Sequence, residues 1–326
     1  MNKKALAAVV AGLALVGVGI AGPSQADPTS KPRAINGMGS DTTQDVMNGF
    51  SKLDDARAAE LASWDATPKG STVDTGVTGC SAYTRADGSS AGRTALLTGT
   101  ECLQFARSSS FSANAGLTYY PFAVDGLTYA ITQNSSVPKN LTKAQLQSIF
   151  KCGVPSIQPV QVQAGSGTRK DWFNYLYGSA VSDLSNLSAE EKACYPAEAD
   201  LPQEHDGRAL KNNQIMPYSV AKWISQLTGV TSDVRGRTRL PLLDSKSPIS
   251  LNIDGANTRT VYNVLRRADA DAIAGSGELT ATQTKLKGLF VGSDSLICAN
   301  PTTIVQYGFA PVPSTASIKC GEPKTS

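Results

Sequence analysis

The chain has 326 residues, of which 40% are hydrophobic and 17% charged. It is therefore an ordinary folding sequence, long enough for two domains, and neither disordered nor fibrous. Its formal net charge is +3, and setting aside Lys3 and Lys4 leaves 28 basic residues against 27 acidic ones. With no clustered basic face in the sequence, a nucleic acid or other polyanion is excluded as a partner, and any ligand is small and met by a local site.

Lys3 and Lys4 precede an apolar run from Ala5 to Gly22 and then Pro23-Ser24-Gln25-Ala26. This is the order of a secretory signal, with cleavage expected after Ala26. The run is also long enough for an uncleaved membrane anchor. No cysteine precedes Cys80, so the lipid-modified cysteine of a bacterial lipoprotein is not on offer. Residues 27–33 read as a lead-in. In AINGMGSDTTQDVMNGF, Ala34-Ile35 is a strand and Gly37 and Gly39 a turn, while Val46, Met47, Phe50 and Leu53 fall at helical spacing. Ser40, Asp41, Thr42 and Thr43 occupy the helix start. A similar unit follows where Gly88-Ser89-Ser90-Ala91-Gly92 leads into a helix through Leu97. Cys102–Ala106 reads as a strand entering Arg107-Ser108-Ser109-Ser110, and Tyr119–Gln133 is β-rich enough for a central strand or crossover. Leu141, Leu146, Ile149 and Phe150 mark a helix that Gly153 can cap.

Val160 and Val162 alternate with Gln161 and Gln163 as in a strand, and Trp172, Phe173 and Leu176 recur as in a helix. Between them lies Gly165-Ser166-Gly167-Thr168-Arg169. Free N–H groups and the positive dipole end of such a helix, with glycine permitting close approach, favour an oxyanion. The alternative is an ordinary turn in which Ser166 or Thr168 serves only as an N-cap. Farther on, Asp183–Cys194 reads as a polar helix, and His205 falls in a loop-like run. Ile215–Ile224 reads as a strand passing into a helix, and residues 228–256 as short strands with loops. Thr260–Ile273 is predicted as a helix and Leu289–Pro311 as strand-like. Alternating strands and helices place the chain in the α/β class.

Six cysteines in an exported chain imply disulfides, and six allow fifteen pairings. Sequential neighbours fall in three groups, favouring Cys80–Cys102, Cys152–Cys194 and Cys298–Cys320. Metal binding is the rival use of cysteine, but no CxxC motif or histidine cluster supports it, and no metal or cofactor is expected.

Taken in order, several motifs resemble the phosphate-binding, type 2 substrate-binding proteins of bacterial ABC transporters. Gly39-Ser40-Asp41-Thr42 is similar to the family's first helix start, and Gly88–Gly92 to its second glycine–serine turn. Phe105–Ser109 resembles the strand ending in an anion contact, VDGLTYAI from Val124 the first crossover, and LTKAQLQSIFKCG a family segment. GSGTR is the closest match. The resemblance implies a type 2 periplasmic-binding-protein fold, with two α/β lobes and a ligand cleft between them. Lobe 1 would be residues 27–124 and 223–326, and lobe 2 residues 125–222. It further implies a monomeric, non-enzymatic binder of inorganic phosphate or a similar oxyanion, with an ABC permease as partner. By position the ligand contacts would be Ser40, Thr42, Ser89 or Ser90, Ser109, Ser166, Gly167 and Thr168. Relatives place an Asp at the position of Ser109 and an Arg where this chain has Val162. Asp41 is the candidate for the displaced carboxylate, which the P–OH of phosphate needs as acceptor, and Arg107 or Arg169 for the cation. Two other classes stay open: a secreted hydrolase using Ser166 with His205 and Asp206 or Glu204, and a wall-associated interaction protein that has lost its ligand. No GxSxG elbow supports the hydrolase.

Overall fold

The hydroxyl-rich helix starts are set by a mixed sheet. Its first strand, β1 (Ile35–Gly39), is buried throughout and leads into helix α1 (Gln44–Phe50), which turns Val46, Met47 and Phe50 inward. Strand β2 (Leu61–Ser63), helix α2 (Ser89–Thr98) and strand β3 (Phe105–Ser108) follow, with β2 and β3 parallel to β1 on either side. Strand β4 (Leu117–Thr132) is dense in aromatic and β-branched residues and is buried at all 16 positions, as a strand covered on both faces must be. Helices α3 (Lys143–Ile149) and α4 (Gly167–Tyr177) come next, separated by the short β5 (Gln158–Pro159). Then follow β6 (Gln214–Ser219), α5 (Val220–Leu227), β7 (Thr258–Arg266), α6 (Arg267–Ala274), α7 (Ala281–Phe290) and α8 (Pro301–Gln306). The computed structural model describes residues 27–28, 32–99, 101–249, 257–313 and 317–325. The expected signal segment and its cleavage after Ala26 lie outside them.

The strand order is β2-β1-β3-β7-β4-β6-β5, with two short segments, Thr238–Arg239 and Ala310–Pro311, also paired to β4. Strand β7 runs antiparallel between β3 and β4. Its register shifts between Val261 and Tyr262, opposite Ala123 and Pro121. Proline cannot donate to the ladder, so an irregularity there spares the sheet a lost bond. The second half of β4, Leu127–Ala130, pairs with β6. The apolar packing divides along this long strand. Phe122 and Ala123 belong to a core with α1, α7 and α8, whereas Leu127, Tyr129 and Ile131 pack with α3 and α4. These are the two lobes of the fold.

Disulfides join Cys80–Cys102, Cys152–Cys194 and Cys298–Cys320, closing separations of 22, 42 and 22 residues. On chain entropy each contributes about 3–4 kcal/mol.

Several sequence expectations fail, among them the turn at Gly37, which lies inside β1, and the strand over residues 160–163, which follow β5 without being part of it. The stretch predicted as a helix over Thr260–Ile273 is strand β7 as far as Arg266, and only then α6. Strand β7 lies between two other strands, and its inner run from Val261 to Leu265 is buried, so its apolar positions lose the alternation that would mark a strand. Leu289–Pro311, read as strand-like, holds the end of α7, the whole of α8 and only the short segment Ala310–Pro311 as strand. Asp183–Cys194 carries a 3-10 turn at Leu184–Asn186 and one helical turn at Ala189–Lys192, each begun by its own capping box.

Candidate functional site

Helix starts converge where the lobes meet. Gly39 and Gly88 take positive φ, 132° and 105°, and bring their backbones together through the Gly88 N–H on Gly39 O at 3.2 Å. Across the cleft Ser90 N–H donates to Gly165 O at 3.2 Å. The hydroxyls of Thr42 and Thr168 lie 3.4 Å apart, and those of Ser89 and Ser109 3.2 Å apart, all four residues buried. Gly167 sits among them: a Cβ there would overlap Ser109 Oγ and lie 2.5 Å from Ser89 Oγ.

Beneath this cradle lies Arg259, on β7 and almost wholly buried. Its Nη2 donates to Thr168 Oγ1 at 2.8 Å and to Thr42 Oγ1 at 3.3 Å, touching both lobes' hydroxyls at once. Asp125 accepts from Arg259 Nε and Nη2 at 3.1 and 2.9 Å. The other Asp125 oxygen accepts from Ser219 Oγ and from Ala221 N–H at the start of α5. Asp171, one turn beyond Thr168, has Oδ2 3.6 Å from Arg259 Nη1, and neither atom has a hydrogen-bond partner. Burial pushes the Asp171 carboxyl up to about 6 despite the pull of Arg259 and Lys170. The cradle can thus present four rotatable hydroxyls, an arginine held in place by a carboxylate, and one free carboxylate oxygen.

No protein-family model and no curated protein sequence matches the chain. Solved structures do match. An ABC-type phosphate transport receptor from Vibrio cholerae is 18% identical with a TM-score of 0.52, over 86% of this chain and 100% of that one. A putative phosphate ABC transporter substrate-binding protein from Clostridium perfringens, solved with bound phosphate, is 15% identical with a TM-score of 0.55, over 86% and 99%. A phosphate-binding protein from Stenotrophomonas maltophilia gives 15% and 0.50, over 86% and 91%. The fold is that of phosphate-binding proteins of ABC transporters.

Within this phosphate-binding-protein fold, Thr42, Ser89, Ser109, Gly167 and Thr168 form the cradle. The remaining expected contacts sit elsewhere. Ser90 is exposed, its hydroxyl accepting from Arg93 at 3.0 Å. Ser40 is buried next to the cradle with its Oγ unpartnered. Ser166 is the N-cap of α4, accepting from Arg169 N–H at 3.2 Å while donating to Glu204. Arg107 turns into the backbone, donating to Ser40 O, Ser63 Oγ and Trp64 O at 3.1, 3.0 and 2.8 Å. Burial pushes its guanidinium down to about 10, against the pull of Asp65 and Asp41. Arg169, itself buried, pairs with the exposed Glu198 at 2.6 Å and with Asp183 at 2.9 Å. Neither expected arginine holds the place that Arg259 takes.

Asp41 faces a second pocket. Its Oδ2 is 3.6 Å from His205 Nδ1 and its Oδ1 3.8 Å from Lys222 Nζ, which also pairs with Asp45. Burial works to raise the Asp41 carboxyl, but Lys222, His205 and Arg107 hold it below the ordinary carboxylate range. A cavity of about 370 Å³ opens here, lined by five carboxylates, Asp41, Asp45, Asp65, Glu204 and Asp206, and by only two strong cations, Lys222 and Arg208. The pairing a hydrolase needs is missing: the Ser166 hydroxyl is bonded to Glu204, and neither His205 ring nitrogen has a hydrogen-bond partner.

Sequence reading missed Arg259, Asp125 and Asp171. For Arg259 and Asp125 the available signal is a charged residue inside an apolar strand, which has to be paired if buried; Asp171 sits in α4 and carries no such signal. The helical reading of Thr260–Ile273 hides it at Arg259, which directly precedes that stretch.

Proposed function

We propose that this chain is an exported solute-binding protein that captures inorganic phosphate reversibly in the cradle and delivers it to an ABC permease as a monomer. Supporting this are five cradle residues from three helix starts and the end of β3, gathered around an arginine that reaches both lobes. Arg259 with Asp125 and Asp171 carries no net positive charge when both acids are ionised, so affinity rests on hydrogen bonds and helix ends. The free Asp171 Oδ2 accepts the P–OH that phosphate has and sulfate lacks, which favours phosphate. Ligand entry requires the lobes, residues 27–124 with 223–326 and residues 125–222, to swing apart, since the cradle hydroxyls bond one another across the cleft. The secretory segment, cut after Ala26, and three disulfides support an oxidising compartment outside the cytoplasm. Its neighbours in fold are binding proteins, and we read the role as capture without turnover.

Calorimetry on phosphate-stripped protein with phosphate, sulfate and arsenate tests this. We expect one site, lost by roughly 1.5–3 kcal/mol in Thr168→Val and unchanged in Arg169→Ala. No heat with any of the three anions overturns the reading.

A further inference from the structure

The acidic pocket has features that capture of an oxyanion does not use. His205 has φ +67°, a left-handed conformation that costs a non-glycine residue about 1 kcal/mol or more. It is held there by its own carbonyl, which accepts from the Tyr218 hydroxyl and from Gln226 Nε2 at 3.2 Å. The ring is only 1% exposed, and both its nitrogens lack a partner. Glu204, 2% exposed, gives one oxygen to Ser166 and leaves Oε1 without a partner. A buried imidazole and a buried carboxylate oxygen with nothing to bond need a reason, and a bound ion is one.

The donor atoms of Asp41, Glu204 and His205 lie within 4.8 Å of one another. Around a tetrahedral ion with bonds of about 2.1 Å, neighbouring donors stand about 3.4 Å apart, so closing on one takes side-chain shifts of about 1 Å. Lys222 does not pre-empt the place. It stands by Asp41 Oδ1, whereas Oδ2 faces His205. One imidazole nitrogen with two carboxylate oxygens suits Zn²⁺ or Mn²⁺, and the 370 Å³ cavity leaves room for water ligands. Five lining carboxylates against two cations supply the matching negative field.

We propose that Asp41, Glu204 and His205 form a divalent transition-metal site beside the cradle. It stands whether or not the cradle takes phosphate, because it is read without any oxyanion present. The full mature chain with its disulfides intact is stripped with chelator, exchanged into an oxyanion-free buffer, and titrated with ZnCl₂ and MnCl₂ against a chromophoric competing chelator. We expect one ion per chain, bound at least tenfold more weakly by Glu204→Gln and by His205→Asn. Glutamine can still accept from Ser166, and asparagine tolerates the left-handed backbone, so at least one variant retains the fold, as circular dichroism will verify. No binding tighter than about 100 μM for either ion, or equal affinity in the folded variants, overturns the site.

Discussion

Asp41 and Thr42 are consecutive, yet their side chains serve surroundings of opposite character. Thr42 turns to hydroxyls and a neutralised arginine, Asp41 to carboxylates, a lysine and a histidine that has no hydrogen-bond partner. In the cradle Arg259 is paired with Asp125, and the remaining valences are the Asp171 oxygen and hydroxyls, which can turn from bonding one another to bonding a ligand. In the acidic pocket the lining charges do not balance, and Glu204 Oε1 and both His205 ring nitrogens have no hydrogen-bond partner. Buried polarity of the first kind is stable with or without a guest, whereas the second kind needs a counter-ion. The same helix start feeds both because successive residues before α1 point in different directions.

The largest break in this contrast comes from converting the balanced region into an unbalanced one. Arg259→Met leaves Asp125 buried with half its partners gone, and we expect a loss of roughly 3–5 kcal/mol in urea unfolding together with loss of phosphate binding. Adding Asp125→Asn removes the orphaned charge and should recover much of the stability but none of the affinity. Equal stability of the single and double variants would show that the pair is not the electrostatic unit described here.

Next in size is Gly167→Ala. Its methyl would collide with the Ser109 and Ser89 hydroxyls, so the lobes cannot close as they do now. Overpacking of this kind costs roughly 1–3 kcal/mol, and here it should fall on affinity rather than on folding, since Gly167 starts a helix at the cleft. Calorimetry beside a melting curve separates the two; an affinity within twofold of the parent would place the ligand elsewhere.

How much of this could be read from the sequence follows from where the information lies. Hydroxyls at helix starts are local features, so Thr42, Ser89, Ser166 and Thr168 stood out by their neighbours. The alternation of strands and helices gave the α/β class for the same reason. Arg259 is more than ninety residues from Thr168 and meets it only because β7 is inserted between β3 and β4. That insertion buries both faces of β7, which is also what made its first residues resemble a helix. Arg107 and Arg169 misled in the opposite way: both are adjacent to the right motifs, but their long side chains reach past the cleft to backbone carbonyls and to Glu198. Local pattern locates a residue's Cα, and only the fold decides where a flexible charge ends.

A smaller effect sharpens the selectivity of the cradle. Asp171→Asn keeps the shape but replaces the free acceptor with an amide, whose donor can face an anion oxygen. Phosphate affinity should drop about tenfold, roughly 1.4 kcal/mol, while sulfate holds or improves. If both anions weaken together, Asp171 is positioning Arg259 rather than choosing the ligand.

A last effect, of similar size, belongs to the acidic pocket and concerns pH. Burial, reinforced by Asp45, pushes the Asp65 carboxyl up to about 6, from an ordinary value of 3.8. The folded protein therefore holds this proton more tightly than the unfolded chain does. That contribution is fully present below about pH 4 and is lost as the pH rises through 6. Asp65→Asn removes the loss: with chelator present, stability should match the parent at pH 4 and exceed it by about 1–2 kcal/mol at pH 7.5. The amide oxygen can keep the bond from Asn48 Nδ2, now at 3.1 Å, so the comparison isolates the charge. A constant offset at both pH values would mean that packing rather than ionisation sets the difference. The pocket's carboxylates would then lie in a better solvated place than their burial implies, and the need for a counter-ion there would shrink accordingly.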